Sequence, residues 1–143
     1  MPVFTRPLVI LSLAGLLAAC AGTGTRPGLY EQFGGPAGVD ALVEEFLVRL
    51  LGDERISDQF VDVDLVNLND RLVEQFCAEL GGPCTYTGRT MAESHAGLGI
   101  TEADFNALVE ALVDAMQARG IPRAAQNRLL ARLAPMHGDI VSP

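Results

Sequence analysis

The stretch RTMAESHAGLGITEADF, residues 89–105, contains His95, one of only two histidines in the chain. From Thr101 onward a helix is expected, because Thr101 and Asp104 have nearly the spacing of a capping box. The glycines between His95 and Thr101 let the backbone bring an imidazole close to a flat partner without a steric penalty. A histidine in a loop can equally be solvated or hydrogen-bonded to the backbone, so two interpretations of His95 stay open at this point.

On either side of this stretch the spacing of apolar residues is helical, at intervals of three and four. The pattern predicts four main helices, three of them over residues 36–53, 63–80 and 101–120 and a fourth that starts at Pro122 within residues 121–141, and a further helical turn or two within residues 53–60. Residues 82–99 show no such period, and loops of this length inside compact domains are often functional. No strand pattern competes, so the sequence predicts a small all-α domain with His95 in a long central loop.

The first residues, MPVFTRPLVILSLAGLLAAC, have the composition of a secretory leader. The apolar run is too short to span a membrane and ends in small residues. Leu17 to Cys20 (LAAC) resembles a bacterial lipoprotein processing box, which predicts a signal peptide over residues 1–19 and lipidation of Cys20. A leader in which Cys20 lies by chance is the alternative. Residues 20–28 then form a lipidated tether, and residues 29–143 form the domain. Ala21 after Cys20 favours anchoring in the outer membrane, facing the periplasm.

The charge of the chain excludes one class of partner. Its formal net charge is −8, and its only basic side chains besides histidine are arginines, since lysine is absent. An acidic domain without a basic stripe argues against nucleic acid as a partner. It also argues against binding to an anionic lipid surface by any means other than the lipid anchor.

Apart from Cys20, the chain contains Cys77 and Cys84, in the segment CAELGGPC. In an exported protein an even number of remaining cysteines predicts a disulfide. A metal pair and a redox-active pair are the alternatives, although no companion ligands lie nearby in the sequence.

Residues 29–141 resemble the group I truncated haemoglobins. The resemblance depends on five segments that fit in order and separation without insertions: LYEQFGG (29–35), DERISDQF (53–60), LGGPCTYTG (80–88), HAGLGIT (95–101) and GIPRAAQNRLLARLAP (120–135). It implies a truncated globin fold, a two-over-two helical sandwich, with glycine pairs at its sharp turns. It also implies a haem b cofactor and a diatomic gas ligand (O2, NO or CO) bound reversibly at five-coordinate iron.

The same resemblance assigns residues to the haem. His95 falls on the proximal histidine, the usual ligand of haem iron in globins, and Phe60 on the phenylalanine packed against the haem face. Arg71 falls where relatives place a basic residue near a propionate, with a solvated arginine balancing its acidic neighbours as the alternative. Tyr86 and Met91 are expected at the haem rim or in ordinary loop packing. His137 is expected to be solvated and not to bind iron.

The sequence departs from the family on the distal side. The family's usual tyrosine is Leu47 here, its usual glutamine is Leu72, and Leu68 and Phe76 complete an apolar wall without a hydrogen-bond donor. Gln75 is the nearest polar residue but is expected to face away. A donor to a polar ligand contributes about 1–3 kcal/mol, so we expect faster oxygen release and a relative preference for nitric oxide and carbon monoxide.

Two other functions remain open from the sequence. The first is enzymatic, the detoxification of nitric oxide by a dioxygenase reaction, which would need an external electron donor as partner. The second is a haem-free globin that serves as a lipoprotein adaptor. The missing distal donor weakens the enzymatic interpretation, so ligand binding or sensing is favoured over catalysis.

Overall fold

The computed structural model describes Met1 and residues 27–141. The predicted signal peptide, the lipidated Cys20 and most of the predicted tether lie outside the described residues. The helices are α1 (Leu29–Gln32), α2 (Gly35–Gly52), α3 (Leu65–Glu79), α4 (Met91–His95), α5 (Glu102–Ala118), α6 (Arg123–Leu133) and α7 (His137–Ile140), with 3₁₀ turns at Ser57–Phe60 and Ala134–Met136. No strand occurs among the described residues, which confirms the all-α class, and none of the helices described there is long and apolar enough to span a membrane.

The four long helices form two stacked pairs. Helix α2 packs against α3 and α5, and α6 packs against the same two helices. The buried faces follow the predicted helical periods, since apolar side chains at intervals of three and four lie on one side of each helix. The core residues of α2 and α5 are Val39, Leu42, Val43, Phe46, Leu47, Leu50, Ala107, Ala111, Leu112, Ala115 and Met116. The structure thus has the predicted two-over-two arrangement.

Two glycine pairs allow the chain to turn sharply between helices, as predicted. Gly34, which precedes α2, has a φ of 90°, in the left-handed region that favours glycine. After α3, a Cβ atom added to Gly82 would lie 2.8 Å from the sulfur of Cys77 and from the ring of Tyr30. The first pair is therefore needed for its backbone conformation, and Gly82 for the close approach of other atoms.

The segment after α3 is tied back to that helix by a disulfide. Cys77, buried near the end of α3, is bonded to Cys84, and their Cα atoms are 5.8 Å apart. This link joins α3 to the segment that leads to α4.

The prediction of an unstructured loop over residues 82–99 was wrong in its second half, which contains α4. Helix α4 is five residues long, too short for an apolar period to appear in the sequence. It is started by a capping box between Thr90 and Glu93, a signal that is local and independent of burial. The predicted capping box at Thr101 and Asp104 is confirmed at the start of α5.

Candidate functional site

His95 is the last residue of α4, and its side chain is half-buried. Its Nδ1 atom lies 2.8 Å from the backbone oxygen of Met91, one helical turn earlier. A carbonyl oxygen can only accept, so Nδ1 carries the proton of the neutral ring and Nε2 keeps a free lone pair. This is the arrangement in which metal-binding histidines are usually held, with one nitrogen oriented by the protein and the other available to the metal.

The short helix that carries His95 is fixed at its start. The Thr90 hydroxyl accepts a hydrogen bond from the backbone of Glu93 at 3.2 Å, and the Glu93 carboxylate accepts one from the backbone of Thr90 at 2.9 Å. The backbone N–H of Thr90, followed by its hydroxyl, holds the pKa of the Glu93 carboxyl below its ordinary value. Helix α4 packs against α7, so the position of His95 also depends on the C-terminal end of the domain.

Helix α3 presents an apolar row that the protein covers only at one end. Leu65, Leu68, Leu72 and Phe76 follow one another at intervals of three and four, on one face of the helix. Phe76 is 3% exposed and lies 6.1 Å from Phe46, measured between ring centroids. Leu68 and Leu72 are only half-buried, and Leu65 is 39% exposed.

The predicted distal residues lie together in one apolar cluster. Leu47 and Phe76 belong to the buried core, and Phe60, Leu68 and Leu72 pack against it from the less covered side. Within the described residues, α3 packs mainly on α2 and to a smaller extent on α6, and it has no comparable packing on α4. An uncovered apolar row and an imidazole with a free Nε2 fit a flat apolar group that carries a metal, so the residues present are suited to a haem.

Arg71, on α3, is paired with Glu74, in line with the alternative of an arginine that balances its acidic neighbours, and its place near a propionate stays a prediction. Its Nη1 donates to the Glu74 carboxylate at 2.7 Å and also to the hydroxyl of Thr87. Glu74 accepts a further hydrogen bond from the backbone N–H of Thr87 at 3.1 Å, which is the main reason why the pKa of this carboxyl is lowered. The Nε atom of Arg71 is buried without a hydrogen-bond partner. Because an unpaired buried donor is costly, an anionic group at this position would be stabilised.

Tyr86 and Met91 both have partners within the protein. The Tyr86 hydroxyl donates to the backbone oxygen of Arg89 at 2.8 Å, and burial raises the pKa of this phenol. The Met91 sulfur accepts a hydrogen bond from Nε2 of Gln75 at 3.7 Å. Both side chains therefore take part in packing the segment between α3 and α4.

His137 is partly solvated, as predicted, with 40% of its side chain exposed, but it also contacts two residues of α5. Its Nε2 lies 3.0 Å from a carboxylate oxygen of Glu102, and its ring meets that of Phe105 edge-on at 4.6 Å. This contact fixes the start of α7 to the start of α5. No local signal could have indicated it, because the partners are more than thirty residues apart in the sequence.

Comparison with known proteins agrees with the helical architecture. The bacterial-like globin family matches residues 28–142. Group 1 truncated hemoglobin GlbN of Mycolicibacterium paratuberculosis is 37% identical over 80% of this chain and 84% of its own. Among solved structures, the truncated hemoglobin of Tetrahymena pyriformis in its Fe(III) form superposes with a TM-score of 0.77 at 27% identity, covering 80% of this chain and 98% of that one.

A second solved structure, the 2/2 hemoglobin of Synechococcus in the cyanomet state with covalently attached heme, gives a TM-score of 0.75 at 27% identity, over 80% of this chain and 98% of that one. Helical architecture, the family match and the similarity to GlbN agree over the whole domain. This chain belongs to the bacterial-like globin family, with group 1 truncated haemoglobins as homologues, and the family implies haem as cofactor and a diatomic gas as ligand.

Proposed function

We propose that this globin binds haem b through Nε2 of His95 and reversibly binds a diatomic gas on the opposite, apolar face of the haem. The observation that carries the proposal is the 2.8 Å hydrogen bond from His95 Nδ1 to the Met91 carbonyl, which leaves Nε2 free as a metal ligand. The haem supplies the metal that binds the gas, and the protein supplies orientation and a dry apolar pocket.

The apolar cluster determines which gas is preferred. Leu47, Leu68, Leu72 and Phe76 would exclude water from the distal side and offer no hydrogen bond to a polar ligand, and Phe60, which packs against the same cluster, would lie against the haem. Bound oxygen depends on such a donor more than nitric oxide or carbon monoxide does. We therefore expect oxygen to be released quickly and the other two gases to be favoured relative to it.

The edge of the haem is assigned to Arg71 on α3 and to residues that lead from α3 into the start of α4. Arg71 is the basic residue assigned to a haem propionate, since Glu74 and Thr87 hold only its Nη1 and its Nε has no hydrogen-bond partner. Tyr86 and Met91 would complete the rim from the same side. These assignments place a positive charge at the polar edge of the cofactor and apolar groups at its face.

The test is an absorption spectrum of the purified protein reconstituted with haem, in oxidised, reduced and carbon monoxide-bound forms. We expect a Soret band in the wild-type chain, a strong loss of it in His95→Ala, and its partial return when imidazole is added. His137→Ala, at the other histidine of the chain, tests whether the loss is specific to His95: it should retain the Soret band, because His137 is engaged with Glu102 and is not expected to bind the metal. An unaltered spectrum in His95→Ala would contradict the proposal.

We further propose that the protein is an exported lipoprotein, anchored through Cys20 and facing the periplasm. The leader composition supports this location, and a disulfide between Cys77 and Cys84 is the bond expected in an oxidising compartment. Labelling with radioactive palmitate and fractionation of membranes provide the test. Cys20→Ser should abolish labelling and release the protein from the outer membrane; equal labelling of the variant would contradict lipidation at this residue.

A further inference from the structure

Gln75 makes a pair of contacts that the proposed gas-binding function has not used. Its Nε2 lies 3.4 Å from the sulfur of Met136 and 3.7 Å from the sulfur of Met91. Thioether sulfur is a weak hydrogen-bond acceptor, and the amide has two N–H groups, so both contacts can be made at once. One side chain of α3 thus contacts the first residue of α4 and the end of the 3₁₀ turn that precedes α7.

One of these two contacts involves the residue that orients His95. Met91, which Gln75 contacts through its sulfur, is also the residue whose carbonyl oxygen accepts the hydrogen bond from His95 Nδ1. The displacement of Met91 would therefore move the acceptor that orients the imidazole. From the amide to the ring, the path consists of a hydrogen bond from Gln75 to the Met91 sulfur, the Met91 residue itself, and the hydrogen bond that its carbonyl oxygen accepts from His95 Nδ1.

The orientation of His95 needs such outside support because α4 is only five residues long. Isolated helices shorter than about 12 residues are marginal in water, since few hydrogen bonds offset the cost of nucleation. The capping box at Thr90 fixes the first turn, and packing on α7 supports one side of the helix. Among the described residues, α3 does not pack extensively on α4, so its contact through Gln75 has few alternatives.

We propose that Gln75 is a positioning residue for His95: its amide holds Met91, and through the Met91 carbonyl it fixes the orientation of the imidazole and the hydrogen bond at Nδ1. The proposal rests on the proposed function, in that His95 is taken as the haem ligand. Gln75 thereby connects the helix of the apolar wall to the helix of the metal ligand. It acts on the proximal side and does not supply the missing distal donor.

Resonance Raman spectroscopy of the reduced, haem-loaded protein gives the direct test, because the iron–histidine stretching band reports the hydrogen bond at Nδ1. Gln75→Leu removes the donors at similar size and should shift this band to lower frequency and broaden it. Transfer of haem to an excess of apomyoglobin should become about tenfold faster, the low end of the effect of removing partners of metal-binding histidines. Gln117→Leu, an exposed position on α5, is the matched control and should leave both measurements unchanged.

Variants of the two methionines separate the two contacts. Met91→Leu should reproduce the band shift, and Met136→Leu should produce a smaller one, since only the first sulfur belongs to the residue that holds His95. In the apoprotein, a double-mutant cycle of Gln75→Leu and Met91→Leu, followed by urea unfolding, should show non-additive changes. This cycle also stays informative if Gln75→Leu is poorly stable when loaded with haem.

An unshifted iron–histidine band in both Gln75→Leu and Met91→Leu, together with additive unfolding, would overturn the positioning role. That outcome is distinct from failure of the proposed function, which would appear as the absence of a Soret band in the wild-type chain. A band shift in Gln75→Leu that Met91→Leu does not share would also overturn the proposal, because the effect would then not pass through Met91.

Discussion

Helices α2 and α3 have similar apolar patterns but very different surroundings. In α2, six apolar side chains are buried, among them Leu42 at 0% exposure. In α3, only Phe76 and Cys77 are buried, although the same face carries further leucines toward its start. Val66, near that start, is 74% exposed.

The difference shows what each helix packs against. The apolar face of α2 is covered by α3 and α5, both parts of the same chain. The apolar row of α3 is covered by protein only toward its end, and its first half is suited to a group that the chain does not itself provide. Burial by a cofactor would supply to α3 the apolar contact that α2 already has, at about 25 cal/mol for each Å² removed from water.

The largest expected effect comes from shortening one leucine side chain in each of the two helices and measuring the stability of the apoprotein. Leu42→Ala should lower the free energy of unfolding by about 3–5 kcal/mol, because it leaves a cavity in the core. Leu68→Ala, at a half-buried position of α3, should cost only about 1 kcal/mol. Urea unfolding monitored by circular dichroism measures both, and haem should enlarge the cost of Leu68→Ala alone. Equal costs in the apoprotein would contradict the comparison.

Removing the disulfide tests how much this bond contributes to holding the covered end of α3. Cys84→Ala opens a small loop and should lower the free energy of unfolding by about 2–3 kcal/mol, on the chain-entropy estimate. Cys84 is exposed, so its substitution leaves no cavity, unlike substitution of the buried Cys77. Wild-type protein treated with dithiothreitol is the control and should unfold at the same urea concentration as the variant. A variant as stable as the oxidised protein would show that α3 is held without the bond.

A single substitution can introduce a hydrogen-bond donor into the apolar row. Leu72→Gln introduces an amide where the resemblance places the family's usual glutamine. A hydrogen bond of about 1.4 kcal/mol to bound oxygen should slow its release about tenfold, with little change for carbon monoxide. Stopped-flow oxygen release and flash photolysis of carbon monoxide measure the two rates, with Leu72→Met as the apolar control. A tenfold effect on carbon monoxide as well would indicate a change in packing instead.

The smallest expected effect is the contribution of Glu74, a residue of α3, to the pH dependence of the free energy of unfolding. Its pKa in the folded protein is lowered, chiefly by the backbone N–H of Thr87, so its stabilisation is fully present above the unfolded pKa of about 4.3. That contribution is lost as the pH falls through the pKa of Glu74 in the folded protein. Glu74→Gln should therefore flatten the acid side of the stability profile measured by urea unfolding. Glu45→Gln, the ion-paired carboxylate of α2, provides the matched control.

Much of the fold could be predicted from the sequence because its signals are local or periodic. The apolar spacing predicted the long helices, and the capping residues predicted the start of α5. The apolar spacing missed α4, because five residues contain too little of an apolar period to stand out, and the local signal for this helix is its capping box at Thr90 and Glu93. Gln75 was expected only to face away from the distal side, and its contacts with Met91 and Met136 involve residues 16 and 61 positions away.

By itself, the sequence determined the helical class, the positions of the sharp turns and the apolar character of the wall, because each depends on residue type and on spacing along one helix. Only the tertiary structure decided which nitrogen of His95 is held by the backbone, which partners Arg71 and His137 take, and how much of α3 the protein leaves uncovered. Those properties depend on side chains that are distant in the sequence and adjacent in space, and no pattern along the chain encodes that proximity.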